Sequence, residues 1–362
     1  MRIILERRAD PSKAMQFASP ILAIVLSVIA FFVIFVVSGI DPLKALEVYF
    51  IEPLTAMWSI EDLIAKATPI ILVAIGLCFC FRAGVWNIGA EGQLVAGAIA
   101  GSFVPIFFPD ASGPFVLPAM LVLGMLGGMV YAAIPAVLKT RFGTNEILTS
   151  LMLVYVAQLF LDWLARGPWR NPAGHNFPDS RTFTDGQIMP TLPGTEIFLS
   201  FPAAILIAIA AWFVMRYTRF GFQIRVLGQA PRAGLFAGFS HPRMVMASFL
   251  ISGALAGLAG ICEAAGPIGQ LRTSVSPGYG FTAIIVAFLG RLNPVGAVFA
   301  GLLLGLSYMG GEGAQIALGV SSQTTRVFQG ILLFFVLVCD TFIIYRPRLA
   351  HAPARAAHPA AR

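Results

Sequence analysis

The stretch CFCFRAGVWNIGAEGQLVAGAIAG, residues 78–101, decides how the rest of the chain is read, because it sets Arg82, Asn87, Glu91 and Gln93 between two strongly apolar runs. The apolar runs are the rule in this chain and the polar groups the exception. Hydrophobic residues make up 58% of the 362 residues, charged residues 11%, and the mean hydropathy is +0.84, far above a soluble domain of average make-up. A span needs about 20 mostly apolar residues to cross roughly 30 Å of hydrocarbon. Inside a bilayer every backbone polar group must be satisfied within the protein, and there is almost no strict period-two alternation, so the runs read as helices rather than barrel strands. The fold class is an all-α polytopic membrane protein.

Working outward, about ten spans are expected near 17–38, 63–81, 88–108, 115–137, 146–165, 198–215, 243–262, 279–291, 294–311 and 327–344. The eighth is short and glycine-rich, bounded by SPGYGF and RLNP, and reads as a half-helix or re-entrant segment. The first follows MRIILERRADPSKAM, is too long for the apolar core of a signal peptide and lacks a small-residue cleavage site, so it reads as a retained helix. The chain divides into an N-terminal segment 1–16, a transmembrane domain 17–345 and a basic Ala/Pro-rich tail 346–362 expected to be disordered.

Lys and Arg near span ends mark the cytoplasmic side. Placing both termini inside puts Arg2, Arg7, Arg8, Lys13, Arg82, Lys139, Arg141, Arg216, Arg219, Arg225, Arg232, Arg243, Arg291, Arg346, Arg348, Arg355 and Arg362 there. It leaves most acidic groups to the external segments 39–62 and 166–197. The net charge of +7 is then a topology signal, spread over loops, and not a nucleic-acid face. Cys78, Cys80, Cys262 and Cys339 lie in or beside apolar runs without disulfide or zinc spacing. His175, His241, His351 and His358 assemble no metal site and no nucleophile–base set, which argues against an intramembrane enzyme. Small residues four apart (Gly97 and Gly101, Gly124 and Gly128, Gly253 and Gly257, Gly301 and Gly305) point to closely packed helices.

Three polar or amphipathic regions stand out. A charge near the centre of a membrane helix costs about 2.5–3.5 kcal/mol on insertion scales, so Glu91 needs a protein-lined setting or the interface. Asn87 and Glu91, four apart, read either as a cap and a first-turn acid of the third span or as a face lining a path or meeting a partner. RFGTNEILTSLML repeats the pattern, with Thr144 or Asn145 as cap and Glu146 in the first turn. The loop 216–242 carries APRAGLFAGF, two turns of helix offering Leu235, Phe236 and Phe239 to a soluble partner or to lipid headgroups.

FRAGVWNIGAEGQLVAGA, GTNEILTSLML and TRFGFQIRVLGQAPRAGLFAGFSHPRMVMASFLISGALAGLAG, in this order, resemble the permease subunits of bacterial ATP-binding-cassette (ABC) importers of the branched-chain amino acid and simple-sugar superfamily. NIGAEGQ and TNEI look most like its nucleoside branch, whose relatives work with a basic-membrane-protein-type lipoprotein. The resemblance runs over about 60–345 and departs from the family at Gln229–Ala230 and Arg232–Ala233. It implies an inner-membrane half-channel that pairs with a second permease, a related chain in a heterodimer or a copy of itself. It also implies a cytoplasmic ABC ATPase that supplies ATP and Mg²⁺ chemistry, and an external binding lipoprotein or periplasmic protein. The chain has no GxxxxGK[ST] loop of its own, so no catalytic residue or cofactor is assigned to it. By the same resemblance Pro231 to Phe239 forms the coupling helix, with Arg232, Leu235 and Phe236 on it and Gly228 and Gly238 permitting the turns around it. Asn87, Glu91, Gln93, Asn145, Glu146 and Phe281 are the candidates for the substrate path. The substrate expected is a nucleoside, with ribose or another sugar, then a branched-chain amino acid, as alternatives within the class. A secondary transporter working alone predicts broken helices in matching halves, of which only the SPGYGF break is evident.

Overall fold

Long apolar segments without a run of strand-forming alternation have one low-energy option, the helix, and the structure adopts it throughout. The computed structural model describes residues 2–7, 13–174 and 177–350. Strand β1 (Arg2–Arg7) is followed by α1 (Lys13–Val37), α2 (Pro42–Phe50), α3 (Met57–Arg82), α4 (Ala90–Phe107), α5 (Val116–Phe142), α6 (Glu146–Arg166) and α7 (Ser200–Tyr217). The chain continues through α8 (Arg219–Gln229), α9 (Pro231–Phe236), α10 (His241–Ala265), α11 (Tyr279–Leu289), α12 (Pro294–Leu318) and α13 (Ser322–Ile344), and ends in strand β2 (Tyr345–Ala350). Among the described residues, nine helices are long and apolar enough to cross a membrane, and α11 is the short apolar one. At 11 residues, or about 16 Å, α11 covers half a bilayer, as its flanking glycines suggest.

Every expected span has its helix, but several run further than hydropathy indicates. α3 begins at Met57, α5 continues through Lys139 and Arg141, and α12 continues through Glu312. A helix does not stop where its side chains turn polar. Bases in the last turn of α5 oppose its negative end, and Gly143, at φ +66°, supplies the left-handed residue that terminates it. α2 and α8 have no apolar maximum and escape a hydropathy reading.

Two compact units share the chain, one built from residues up to Leu43 and from Arg326 onward, the other from Lys44 to Thr325. In the first, Phe31 packs against Phe328 with ring centroids 4.8 Å apart, Ser19 donates a hydrogen bond to Asp340, and β1 pairs antiparallel with β2 from Arg2↔Ala350 to Arg7↔Tyr345. The tail expected to be disordered from residue 346 therefore begins as a paired strand, because an extended partner of matching length lies at the N-terminus. Residues 351–362 of that tail lie outside the described residues.

In the second unit α3 is buried along most of its length and packs on α10, α11, α12 and α7, while α10 packs on α3, α4 and α5. The expected small-residue pairs are the contact points. A side chain on Gly97 would strike Gly257, one on Gly128 would strike Gly253 and Gly257, and one on Gly257 would strike the Gly124 carbonyl. Gly301 and Gly305 admit Ile71 and Ala67 of α3 in the same way. Absence of Cβ atoms lets the backbones of α4, α5 and α10 meet around Gly257.

Candidate functional site

The polar residues of the opening stretch are locked together inside the second unit. Between α3 and α4 the backbone runs non-helically from Ala83 to Gly89 and brings Asn87 level with Ser252, about three turns into α10. Irregular backbone at such depth is tolerated only when protein satisfies its polar groups. Asn87 Nδ2 donates to Gln93 Oε1 and Gln93 Nε2 donates to Asn87 Oδ1, each at 3.0 Å. Asn87 Nδ2 also donates to Ser252 Oγ at 3.0 Å, and its Oδ1 accepts the Gly89 N–H at 3.1 Å. The Ile88 N–H donates to Ser150 Oγ of α6 at 3.2 Å. Asn87 and Gln93 are fully buried. Trp86 closes the segment by stacking on Phe288 of α11, which stacks in turn on Phe81.

Asn87 is thus not the cap of α4: that position belongs to Gly89, and no side chain caps it. The helix starts after the fold-back, so Asn87 and Glu91 do not share a helical face. Glu91 does sit in the first turn, buried, and its Oε2 accepts the Gly280 N–H at 2.6 Å. Gly280 belongs to the first turn of α11, where a carboxylate is favoured by the positive helix end. A side chain on Gly280 would overlap the Glu91 backbone, which is why the two helix starts can meet. The Ala83–Gly89 connection joins two full-length helices, α3 and α4, and so differs from the SPGYGF segment, which opens the short α11.

At the start of α6, Asn145 is the cap, accepting from the Ile147 and Leu148 N–H groups at 2.9 and 3.4 Å. Glu146 pairs with Lys139 of α5 at 2.7 Å. Phe281 is partly exposed on α11.

A second set of polar groups converges without a sequence signal. Lys66 of α3 pairs with Glu312 of α12 at 2.8 Å. Tyr308 of α12 exchanges a 2.9 Å hydrogen bond with Thr282 of α11 and meets Tyr279 edge-to-face at 5.5 Å. Glu263, near the end of α10, is buried within electrostatic range of Lys66 and Tyr279. The residues come from four helices and are far apart in sequence, so no local pattern joins them. Together they offer donors, acceptors and aromatic faces from partly exposed to buried positions.

At the other candidate region α8 follows α7 and packs on both α7 and α9. α9 spans Pro231–Phe236, shorter than the expected Pro231–Phe239, and Ala237–Phe239 form the turn that ends it. Leu235 is 58% and Phe236 95% exposed, while Phe239 is half-buried against Phe222. Arg232 is exposed beside them. Gly238 makes the turn at φ +79°. Gly228 does not: it lies within α8, and a side chain there would meet the Arg82 carbonyl, so its role is the close approach of α8 to the end of α3.

A sequence profile of the family described as branched-chain amino acid transport system / permease component matches residues 59–337. The chain is 36% identical to the glucose ABC transporter permease protein TsgB13 of Haloferax volcanii, over 96% of this chain and 94% of that one. It is 30% identical to the guanosine ABC transporter permease protein NupP of Bacillus subtilis, over 88% of this chain and 92% of that one. It is 27% identical to the nucleoside ABC transporter permease protein NupB of Lactococcus lactis, over 90% and 92%.

Proposed function

The chain belongs to the family of branched-chain amino acid transport system permease components, and we propose that it is the membrane half of an ATP-driven importer of nucleosides. It is a multi-pass protein of the plasma membrane. ATP is hydrolysed on a separate cytoplasmic ATPase, a second permease chain completes the path, and an external binding protein delivers the solute. The α8–α9 end of the second unit faces the cytoplasm, in keeping with the basic residues of that segment, Arg216, Arg219, Arg225, Arg232 and Arg243.

The observation that carries the reading is α9, which presents Leu235 and Phe236 to solvent on a short helix that ends in the turn at Gly238. An apolar pair that exposed is a cost unless a partner covers it. Because Gly228 seats α8 directly on the end of α3, a push on α9 is delivered to the helix at the centre of the second unit. Asn87, Glu91, Gln93, Asn145 and Glu146 hold helix starts in place, and Phe281 with the Tyr279–Tyr308 cluster lines the path. A nucleoside is polar and uncharged at neutral pH, so hydrogen-bonding groups and aromatic faces suit it better than a strong field.

The 36% identity to a glucose permease favours a second reading, a sugar as substrate. Uptake of labelled guanosine, adenosine, uridine, ribose and glucose separates the two, in cells expressing the chain with its encoded neighbours and in cells lacking only this chain. Nucleoside uptake that disappears with the chain is expected. Sugar uptake alone would keep the importer and change its cargo; uptake that persists without any ATPase would remove the importer reading.

A further inference from the structure

Four elements meet around one small polar cavity at the end of the second unit that carries α9. Arg82 closes α3, Trp212 and Arg216 belong to the last turns of α7, Arg225 lies on α8, and Asn293 and Pro294 open α12. The cavity measures about 90 Å³, room for one tetrahedral oxyanion. Among the described residues, three guanidinium groups line it and no carboxylate does. Among the described residues, Arg82, Arg216 and Arg225 form no ion pair with an acid. Arg225 Nη2 reaches the Arg216 carbonyl at 3.5 Å, and its Nε is buried without an acceptor.

Helix ends do not balance this charge. The C-termini of α3 and α7 each contribute about half a negative charge and the N-terminus of α12 about half a positive one, against three full positive charges. Asn293 Oδ1 is already occupied by the Val295 N–H at 3.1 Å. A cavity lined by three guanidinium groups without an acid calls for an anion that accepts several hydrogen bonds at once. Guanidinium groups bind phosphate through paired N–H donors, better than any single point charge does. Trp212 beside the arginines is the aromatic residue that favours the headgroup level of a membrane.

We propose that this cavity binds a phosphate-bearing anion, the headgroup phosphate of an anionic phospholipid or a free phosphate ion. Bound there, the anion ties α8 to the ends of α3 and α7 and so stiffens the support of α9. That mechanical consequence rests on the reading of α9 as the docking helix; the binding itself does not.

The test uses the full chain, purified and delipidated in a non-ionic detergent. Thermal unfolding is followed while phosphatidylglycerol, phosphatidylcholine, or sodium phosphate matched in ionic strength by sodium chloride is added. Phosphatidylglycerol is expected to raise the unfolding temperature saturably. The half-saturating concentration should rise about tenfold in Arg225→Gln, the loss of one charge-assisted contact. It should stay unchanged in Arg219→Gln, an exposed arginine outside the cavity. Saturation by sodium phosphate with no further gain from lipid would keep the site and make its ligand the free ion. Equal responses to both lipids, an unaltered half-saturation in Arg225→Gln, or no response to any anion would overturn the proposal; the last would leave an acidic group of a partner chain as the counter-charge. Should Arg225→Gln fail to fold, Arg216→Gln removes another guanidinium of the same cavity at an exposed position, and the half-saturating concentration should rise likewise.

Discussion

Asn87 makes four hydrogen bonds in a fully buried setting, and its removal strands three partners at once: the Gln93 amide, the Ser252 hydroxyl and the Gly89 N–H. Asn87→Ala is expected to cost about 2–4 kcal/mol of stability, and Gln93→Ala about 1–3 kcal/mol. The double variant should cost less than their sum, because each single change already breaks the same pair; a thermal or denaturant double-mutant cycle measures the difference. Glu91 behaves differently. Glutamine keeps an oxygen at the same reach from the Gly280 N–H, so Glu91→Gln should unfold within about 1 kcal/mol of the native chain. Glu91→Ala should lose about 1–3 kcal/mol, because it leaves that N–H buried without an acceptor. Equal losses in the two variants would assign the effect to charge and not to the hydrogen bond. At this scale the sequence shows which residues are out of place in an apolar chain, but not what they touch. Ser252 and Gly280 lie 165 and 189 positions away from their partners.

α9 is the element whose chemistry is most readable from sequence and least explained by the chain itself. Pro231 starts it, where a missing N–H costs nothing, and Gly238 ends it in a conformation that a β-branched residue resists. Leu235→Asp with Phe236→Asp changes only exposed positions, so insertion and unfolding should be those of the native chain while ATP-driven uptake falls at least tenfold. Native uptake with both aspartates present would remove α9 from the docking surface. Gly238→Val forces φ +79° on a branched side chain that has free space around it, so its cost, about 1–2 kcal/mol, is backbone strain confined to this turn. Uptake should fall with little change in overall unfolding. The amphipathic α8 and the fold-back before α4 were not legible in the same way, since neither has the long apolar run by which membrane helices are recognised.

Across the second unit, the meeting of α4, α5 and α10 at Gly257 is the point least able to accommodate change. A methyl group there meets the Gly124 carbonyl and the Gly128 backbone, neither of which can rotate aside. Gly257→Ala is expected to cost about 1–3 kcal/mol, and Gly257→Leu to prevent assembly of the unit, seen as aggregation on detergent extraction. By contrast Gly143→Ala, where no atom lies near the added carbon, should lose only the left-handed terminus of α5, about 1 kcal/mol. A similar loss at both positions would argue against close packing as the role of the small-residue pairs.

Local composition by itself determined that the chain is helical and membrane-spanning, where its spans lie and that one of them is short; it marked a short amphipathic stretch after α7 without saying what covers it. These properties depend on contiguous residues, because burying a backbone in hydrocarbon demands an apolar run and internal hydrogen bonds. The spacing of its glycines indicated close packing without saying which helices would meet. Only the tertiary structure decided that Asn87 faces Gln93 and Ser252, that Glu91 holds the start of α11, that Gly228 seats α8 on α3, and that three arginines from three helices share one cavity. Each of these is a contact between segments distant along the chain, and its partner is chosen by packing, which no local pattern encodes.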